Sequence, residues 1–200
     1  MASPEQQIVF LSNVQRLLSE GSFVSTYKYA LLLSLADLCV ELGRDNDSAL
    51  DIPTRRIGEK FAEYYWRQCA PYLPAGGEDT GVLKQNTGEA PRIIKLLHDV
   101  RGAYDGSLVN LRRDERAWNQ TVTQIAAQVR KMPLWKLQTV GTQKLDFLYG
   151  KSGRGTSITT PADFLHQRLT GCNSRFDVTD TEPTWRRRCC SIAWRPMICT

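Results

Sequence analysis

General-base or metal chemistry would be sought first at histidine, and the chain has two, His98 and His166. His98 is followed by Asp99 and preceded by Leu96 and Leu97. Adjacent positions on a helix do not face each other, so this spacing makes no base–carboxylate pair. His166 follows Asp163, but no second histidine comes at ligand spacing. Glu59 and Glu63 stand four apart and would share a helix face, where paired carboxylates can divide acid and base roles. With no histidine near them, and with Lys60 and Arg67 beside them, ion-paired surface glutamates are the simpler reading. Six cysteines lie at 39, 69, 172, 189, 190 and 199. No C-x-x-C pair occurs among them, so a zinc site is poorly supported. Glycine-rich phosphate loops and the G-x-S-x-G nucleophile turn are also absent. The residues therefore make no complete catalytic or metal site.

Phosphate contact is the chemistry the basic residues could supply. Arg55 and Arg56 fall at an expected helix start, where backbone N–H groups and arginine together favour an anion. Lys84, Arg92 and Lys95 extend the same candidate nucleic-acid surface, while Arg112, Arg113 and Arg116 read as a solvated face. Phe61, Tyr64, Tyr65 and Trp66, followed by Arg67, offer aromatic faces on which unpaired bases could stack. Phe61 and Tyr65 share one helical stripe, which favours core packing instead. Residues 1–83 hold 7 basic and 11 acidic side chains, a net of −4; residues 84–150 hold 11 and 6, a net of +5; residues 151–200 hold 8 and 4, a net of +4. The overall charge of +5 thus comes from the second half, an asymmetry compatible with a nucleic-acid-facing side.

Five helical patterns must position these residues. Ser3, Pro4 and Gln6 suit an N-cap, a first helical position and a capping box, and Phe10, Leu11, Val14, Leu17 and Leu18 follow at helical spacing before Gly21. A second helix over about 25–42 is apolar around most of its circumference, which predicts a central element. Its Lys28 and Asp37 then need partners or solvent. Residues 49–52 suit a short extended piece before Pro53. Thr54 is expected to cap a third helix to about Cys69, and Pro71, Pro74, Gly76 and Gly77 end it. Residues 82–88 fit a strand or a loop. Further helices are expected over about 90–104, on Ile93, Ile94, Leu97 and Val100, and from about Asp114 to Lys131, on Trp118, Val122, Ile125, Ala126 and Val129. Residues 134–138 read as a helical turn. Beyond Lys151 the stretch Ser152-Gly153-Arg154-Gly155-Thr156 is linker-like, and apart from a short helix over 163–169 no periodicity remains. The expected fold is mainly α: a compact bundle of about five helices over 1–150, then a linker and an irregular, poorly structured tail over 151–200.

Several stretches resemble the helical N-terminal region of bacterial HNH endonuclease-family proteins. They are Ser25-Thr26-Tyr27-Lys28-Tyr29-Ala30-Leu31-Leu32 with Ala36-Asp37, Phe61-Ala62-Glu63-Tyr64-Tyr65-Trp66-Arg67-Gln68, Val82-Leu83-Lys84-Gln85-Asn86-Thr87-Gly88, Met132-Pro133-Leu134-Trp135-Lys136-Leu137-Gln138, and Asp146-Phe147-Leu148-Tyr149. The resemblance covers roughly 8–150. It implies that chemistry belongs to a later module, in which a histidine base and a divalent metal act on the scissile phosphate. No such module follows Tyr149 here. The composition shift at Lys151 would suit a frameshifted or truncated continuation.

The expectation is a non-catalytic helical domain that positions an HNH endonuclease-like protein on double-stranded DNA, or else a protein-interaction domain with no nucleic-acid role. A divalent metal is expected only for the missing module, and no cofactor in this chain. The N-terminus lacks a secretory pattern, and the most apolar run, 29–42, is broken by Asp37 and Glu41 and too short to span a bilayer. The expected location is cytoplasmic, with no membrane partner.

Overall fold

The computed structural model describes residues 4–21, 26–43, 49–71, 91–151 and 157–160. Seven helices, α1 (Pro4–Glu20), α2 (Tyr27–Leu42), α3 (Thr54–Trp66), α4 (Arg92–Ala103), α5 (Leu108–Arg113), α6 (Glu115–Lys131) and α7 (Pro133–Lys136), carry the described residues, with five short strands. The mainly α class expected from periodicity is what is found.

The hub is α3 rather than α2, because α3 packs against α2, α4 and α6 together. Sequence pattern favoured α2, whose apolar residues surround it. In the fold, Tyr29 and Val40 of α2 face solvent. The α3–α6 crossing is set by Gly58: a Cβ there would stand 2.9 Å from the Val122 carbonyl oxygen and 3.3 Å from the Ala126 Cβ. Lacking a side chain, this position lets the two backbones approach, and Ile57, Phe61, Ile125 and Val129 join one core with full burial.

Helix starts follow local side-chain chemistry in the second half. Ser107 Oγ accepts from the Asn110 N–H at 3.2 Å and starts α5, a six-residue helix that was not among the helices expected from periodicity. Asp114 accepts from the Ala117 N–H at 3.0 Å and starts α6 as expected. At α3 the expectation fails: Pro53 precedes the helix with no side-chain cap, and Thr54 instead points inward, where its hydroxyl accepts from Arg130 at 3.0 Å. Helix α4 begins after Pro91 without a cap of its own. The Tyr27 hydroxyl, from α2, accepts from the Ile93 N–H at 3.0 Å and meets one of its unpaired donors.

A small sheet seals one end. β1 (Leu50–Pro53) pairs antiparallel with β5 (Ser157–Thr160), and β5 with β4 (Gly150–Lys151). Ile52 and Ile158 lie directly opposite in that register, both fully buried. The folded unit therefore continues past the boundary expected at residue 150. Ser157–Thr160, with β-branched Ile158, Thr159 and Thr160, is too short to register as a periodic element. β2 (Thr139–Val140) and β3 (Gln143–Lys144) form a hairpin whose turn holds Gly141 at φ +57, the left-handed region that glycine tolerates. Buried Gln138 clamps the following chain: its Oε1 accepts from the Leu148 N–H at 2.6 Å and its Nε2 donates to the Tyr149 carbonyl at 3.0 Å. Ser3, Lys84, the segment 82–88 and the tail beyond 160, with His166 and four of the cysteines, lie outside the described residues.

Candidate functional site

Helices α2 and α3 bring together the densest set of charges in the described structure. Asp37 and Glu41 are four apart on α2, and Arg56, Glu59, Lys60 and Glu63 recur at three- and four-residue spacing on α3, so both sets line the groove between the helices. Lys60 sits at the centre. Its ammonium bonds to Glu41 and lies 3.9 Å from Asp37 and 3.7 Å from Glu63. Tyr64 donates to Asp37 at 2.7 Å. Arg56 donates to Glu59 at 2.7 Å and reaches Glu41 at 3.6 Å. Arg55 reaches Glu59 at 3.3 Å and donates to Asn119 at 2.6 Å, while Arg112 pairs with Glu63.

Lys60 and Asp37 are nearly inaccessible, with side-chain exposures of 9% and 6%. Isolated charges so placed would lose several kcal/mol of hydration each, on the order of the penalty for a buried ion. The four carboxylates Asp37, Glu41, Glu59 and Glu63 are matched by Arg55, Arg56, Lys60 and Arg112, and the cluster is neutral as a whole. Its central position is filled by an ammonium rather than open to a cation. Among the described residues no group of three or more His, Cys, Asp or Glu side chains is arranged to hold a metal ion. The cluster locks α2 to α3.

The aromatic run of α3 is structural. Phe61, Tyr65 and Trp66 are buried; Tyr27 meets Phe61 and Tyr65 edge-on at 6.0 and 5.5 Å between ring centroids. Burial pushes the Tyr27 and Tyr65 hydroxyls well above the ordinary phenol range. Trp66 Nε1 donates to the Gly106 carbonyl at 2.9 Å, and Arg101 both donates to the Trp66 carbonyl at 3.0 Å and lies over its ring at 5.6 Å. None of these three rings is available to stack on a base. His98 is likewise a boundary residue: its Nδ1 stands 3.0 Å from the Cys69 carbonyl. Cys39 and Cys69 are free thiols and buried, and burial raises both to about 11, which holds them as inert thiols at neutral pH.

The basic candidates separate into two groups. Arg55 and Arg56 belong to the carboxylate cluster just described. Arg92 and Lys95 stand exposed on the outer side of α4, three residues apart, and neither makes an ion pair with a described residue. Over residues 91–151 there are 11 basic and 5 acidic side chains. Sequence reasoning missed Lys60 and Gly58. Lys60 was expected only as a surface neighbour of ion-paired Glu59 and Glu63, and its burial between α2 and α3 against Asp37 and Glu41 was not foreseen. For Gly58 the one available signal was a glycine inside a strong helical pattern, which implies close backbone approach.

The sequence profile of a family described as a domain of unknown function, DUF8808, matches residues 9–169. The chain belongs to this family. Neither a curated protein nor a solved structure matches it. The DUF8808 match runs past residue 150, in agreement with the return of β5 to the sheet. Every feature described above, from the Lys60 cluster to the α4 cations, falls within the DUF8808 region. No helix among the described residues is long and apolar enough to cross a membrane.

Proposed function

We propose that this DUF8808 chain is a non-catalytic, DNA-positioning helical domain of an HNH endonuclease-like protein. The observation that carries the reading is the division of charge. In the α2–α3 groove Arg55, Arg56 and Lys60 meet carboxylates, whereas residues 91–151 hold 11 basic against 5 acidic side chains and expose Arg92 and Lys95. Exposed cations without internal partners suit phosphate oxygens, whose contacts set position and orientation without reading sequence. Lys84, close in sequence to the same half, extends the proposed set. Hydrolysis and its divalent metal would belong to a separate module.

Duplex binding measured at rising salt tests this directly. Replacing Arg92 and Lys95 by alanine should weaken binding evenly across sequences and flatten the salt slope by about 1 per lost contact. Binding that is absent, or indifferent to salt, contradicts it.

One observation favours a protein-docking role instead. Ile8, Val9 and Leu11 of α1 are exposed on the side of the helix opposite buried Phe10 and Leu17. Contiguous exposed apolar surface commonly marks an interaction site. A hydrodynamic mass that rises with a partner and falls back in Ile8→Ser/Leu11→Ser, with no affinity for DNA, would select this second reading.

A further inference from the structure

Among the described residues the aromatic side chains of Tyr29 and Trp135 are left exposed, and Trp135 stands beside exposed lysines. Trp135 on α7 is 48% exposed, and Met132, three residues before it, is 47% exposed. The ring is not loosely held. Its Nε1 donates to the Lys131 carbonyl at 2.7 Å, one of the carbonyls at the C-terminal end of α6, and the Lys136 ammonium lies over the ring, 5.2 Å from its centroid, so a base that stacks on that face displaces the ammonium toward solvent. Helix α7 packs against α2, which brings Lys28 into the field of Lys136. The Lys28 ammonium is held below its ordinary range first by burial and then by repulsion from Lys136. Exposed Lys131 completes the corner.

We infer that this α6–α7 corner is a binding site for single-stranded nucleic acid, with an unpaired base stacked on Trp135 and the adjoining phosphates met by Lys131 and Lys136. The inference rests on the nucleic-acid reading above and adds to it a different surface and a different form of the ligand. Three features carry it. An exposed indole next to two exposed lysines joins the two parts of sequence-tolerant strand binding, an aromatic face and a cationic track. The hydrogen bond to Lys131 fixes the ring before any ligand arrives, so stacking costs little ordering. That same bond uses the only polar atom of the ring. A tryptophan serving a lipid interface keeps its N–H for the wet side, whereas stacking needs only the π-face.

The test uses the full chain with a fluorescently labelled oligothymidylate of about 16 nucleotides, a duplex of the same length, and anionic phospholipid vesicles. Trp135→Ala should lower the single-strand affinity about tenfold, and Trp135→Phe should restore most of it. Lys136→Ala should reduce both affinity and the salt slope, by about 0.7 for one phosphate contact on a single strand. Duplex affinity should be far less sensitive to Trp135→Ala than to loss of Arg92 and Lys95. Unchanged single-strand affinity in Trp135→Ala, with salt-dependent duplex binding intact, overturns this inference and leaves the positioning role standing. No affinity for either nucleic acid overturns both. Vesicle binding that is lost in Trp135→Ala, with no oligothymidylate binding, overturns it in favour of a membrane surface. Far-ultraviolet circular dichroism of each variant confirms that the exposed substitutions leave the fold intact.

Discussion

The α2–α3 groove and the outer surface of α4 are both rich in basic residues, yet their charges serve different ends. In the groove each cation meets a carboxylate: Lys60 among Asp37, Glu41 and Glu63, Arg56 on Glu59 and Glu41, Arg112 on Glu63. On α4, Arg92 and Lys95 point to water. A count of arginines and lysines treats these as one population. Geometry separates them, because a charge already satisfied within the fold must break a contact before it can bind a ligand. The groove charges are therefore committed within the fold, whereas Arg92 and Lys95 make no ion pair with a described residue.

That contrast can be broken most severely at Lys60. Lys60→Ala leaves Asp37 buried beside two further carboxylates and should cost about 3–5 kcal/mol, the range for removing one partner of a buried ion pair. Urea unfolding reads this as a lower midpoint with an unchanged slope. Lys95→Ala should stay within about 0.5 kcal/mol of the parent, as exposed substitutions do. Equal losses at the two lysines would erase the distinction.

Gly58→Ala gives the next largest effect, and its sign is informative. In an open helix alanine gains about 1 kcal/mol over glycine. Here the new methyl meets the Val122 carbonyl oxygen at 2.9 Å, and overpacking should reverse the gain into a loss of about 1–3 kcal/mol. A stabilised Gly58→Ala would show that the α3–α6 crossing yields easily.

The smallest effect concerns the α6 cap. Asp114 is held below its ordinary carboxylate range, first by the Ala117 N–H and then by the Tyr104 hydroxyl. A depressed folded value contributes stability above the unfolded carboxylate range and loses it as pH falls through the folded value. The protection of amides in the first turn of α6, relative to the intrinsic exchange rate at each pH, should therefore fall on acidification. Asp114→Asn, which keeps an accepting oxygen, should remove that pH dependence. Protection that tracks pH equally in both proteins would assign the effect to another group.

Much of the helical frame was legible in sequence because it depends on local periodicity. The apolar spacing from Phe10 to Leu18 and from Trp118 to Val129 gave α1 and α6, and Asp114 correctly marked the start of α6. Phe61 and Tyr65 were legible as core by their shared stripe. What escaped depends on contacts distant in sequence. The hub position of α3 arises from the α6 backbone reaching Gly58, and the inward turn of Thr54 from Arg130, 76 positions away. β5 pairs with a strand more than a hundred residues earlier. Arg55 and Arg56 were legible as a basic pair at a helix start. The engagement of Arg56 by Glu41 on α2 was not, since no local rule joins those two segments.

Duplex affinity against salt, compared between Arg55→Ala/Arg56→Ala and Arg92→Ala/Lys95→Ala, tests the division of charge most directly. The α4 pair should lower the slope of log affinity on log salt by about 2, near 0.9 per phosphate contact. The α3 pair should leave that slope nearly unchanged while lowering the unfolding midpoint. Loss of slope in the α3 pair with the α4 pair unaffected would contradict the account and move the DNA-facing surface to the α2–α3 groove.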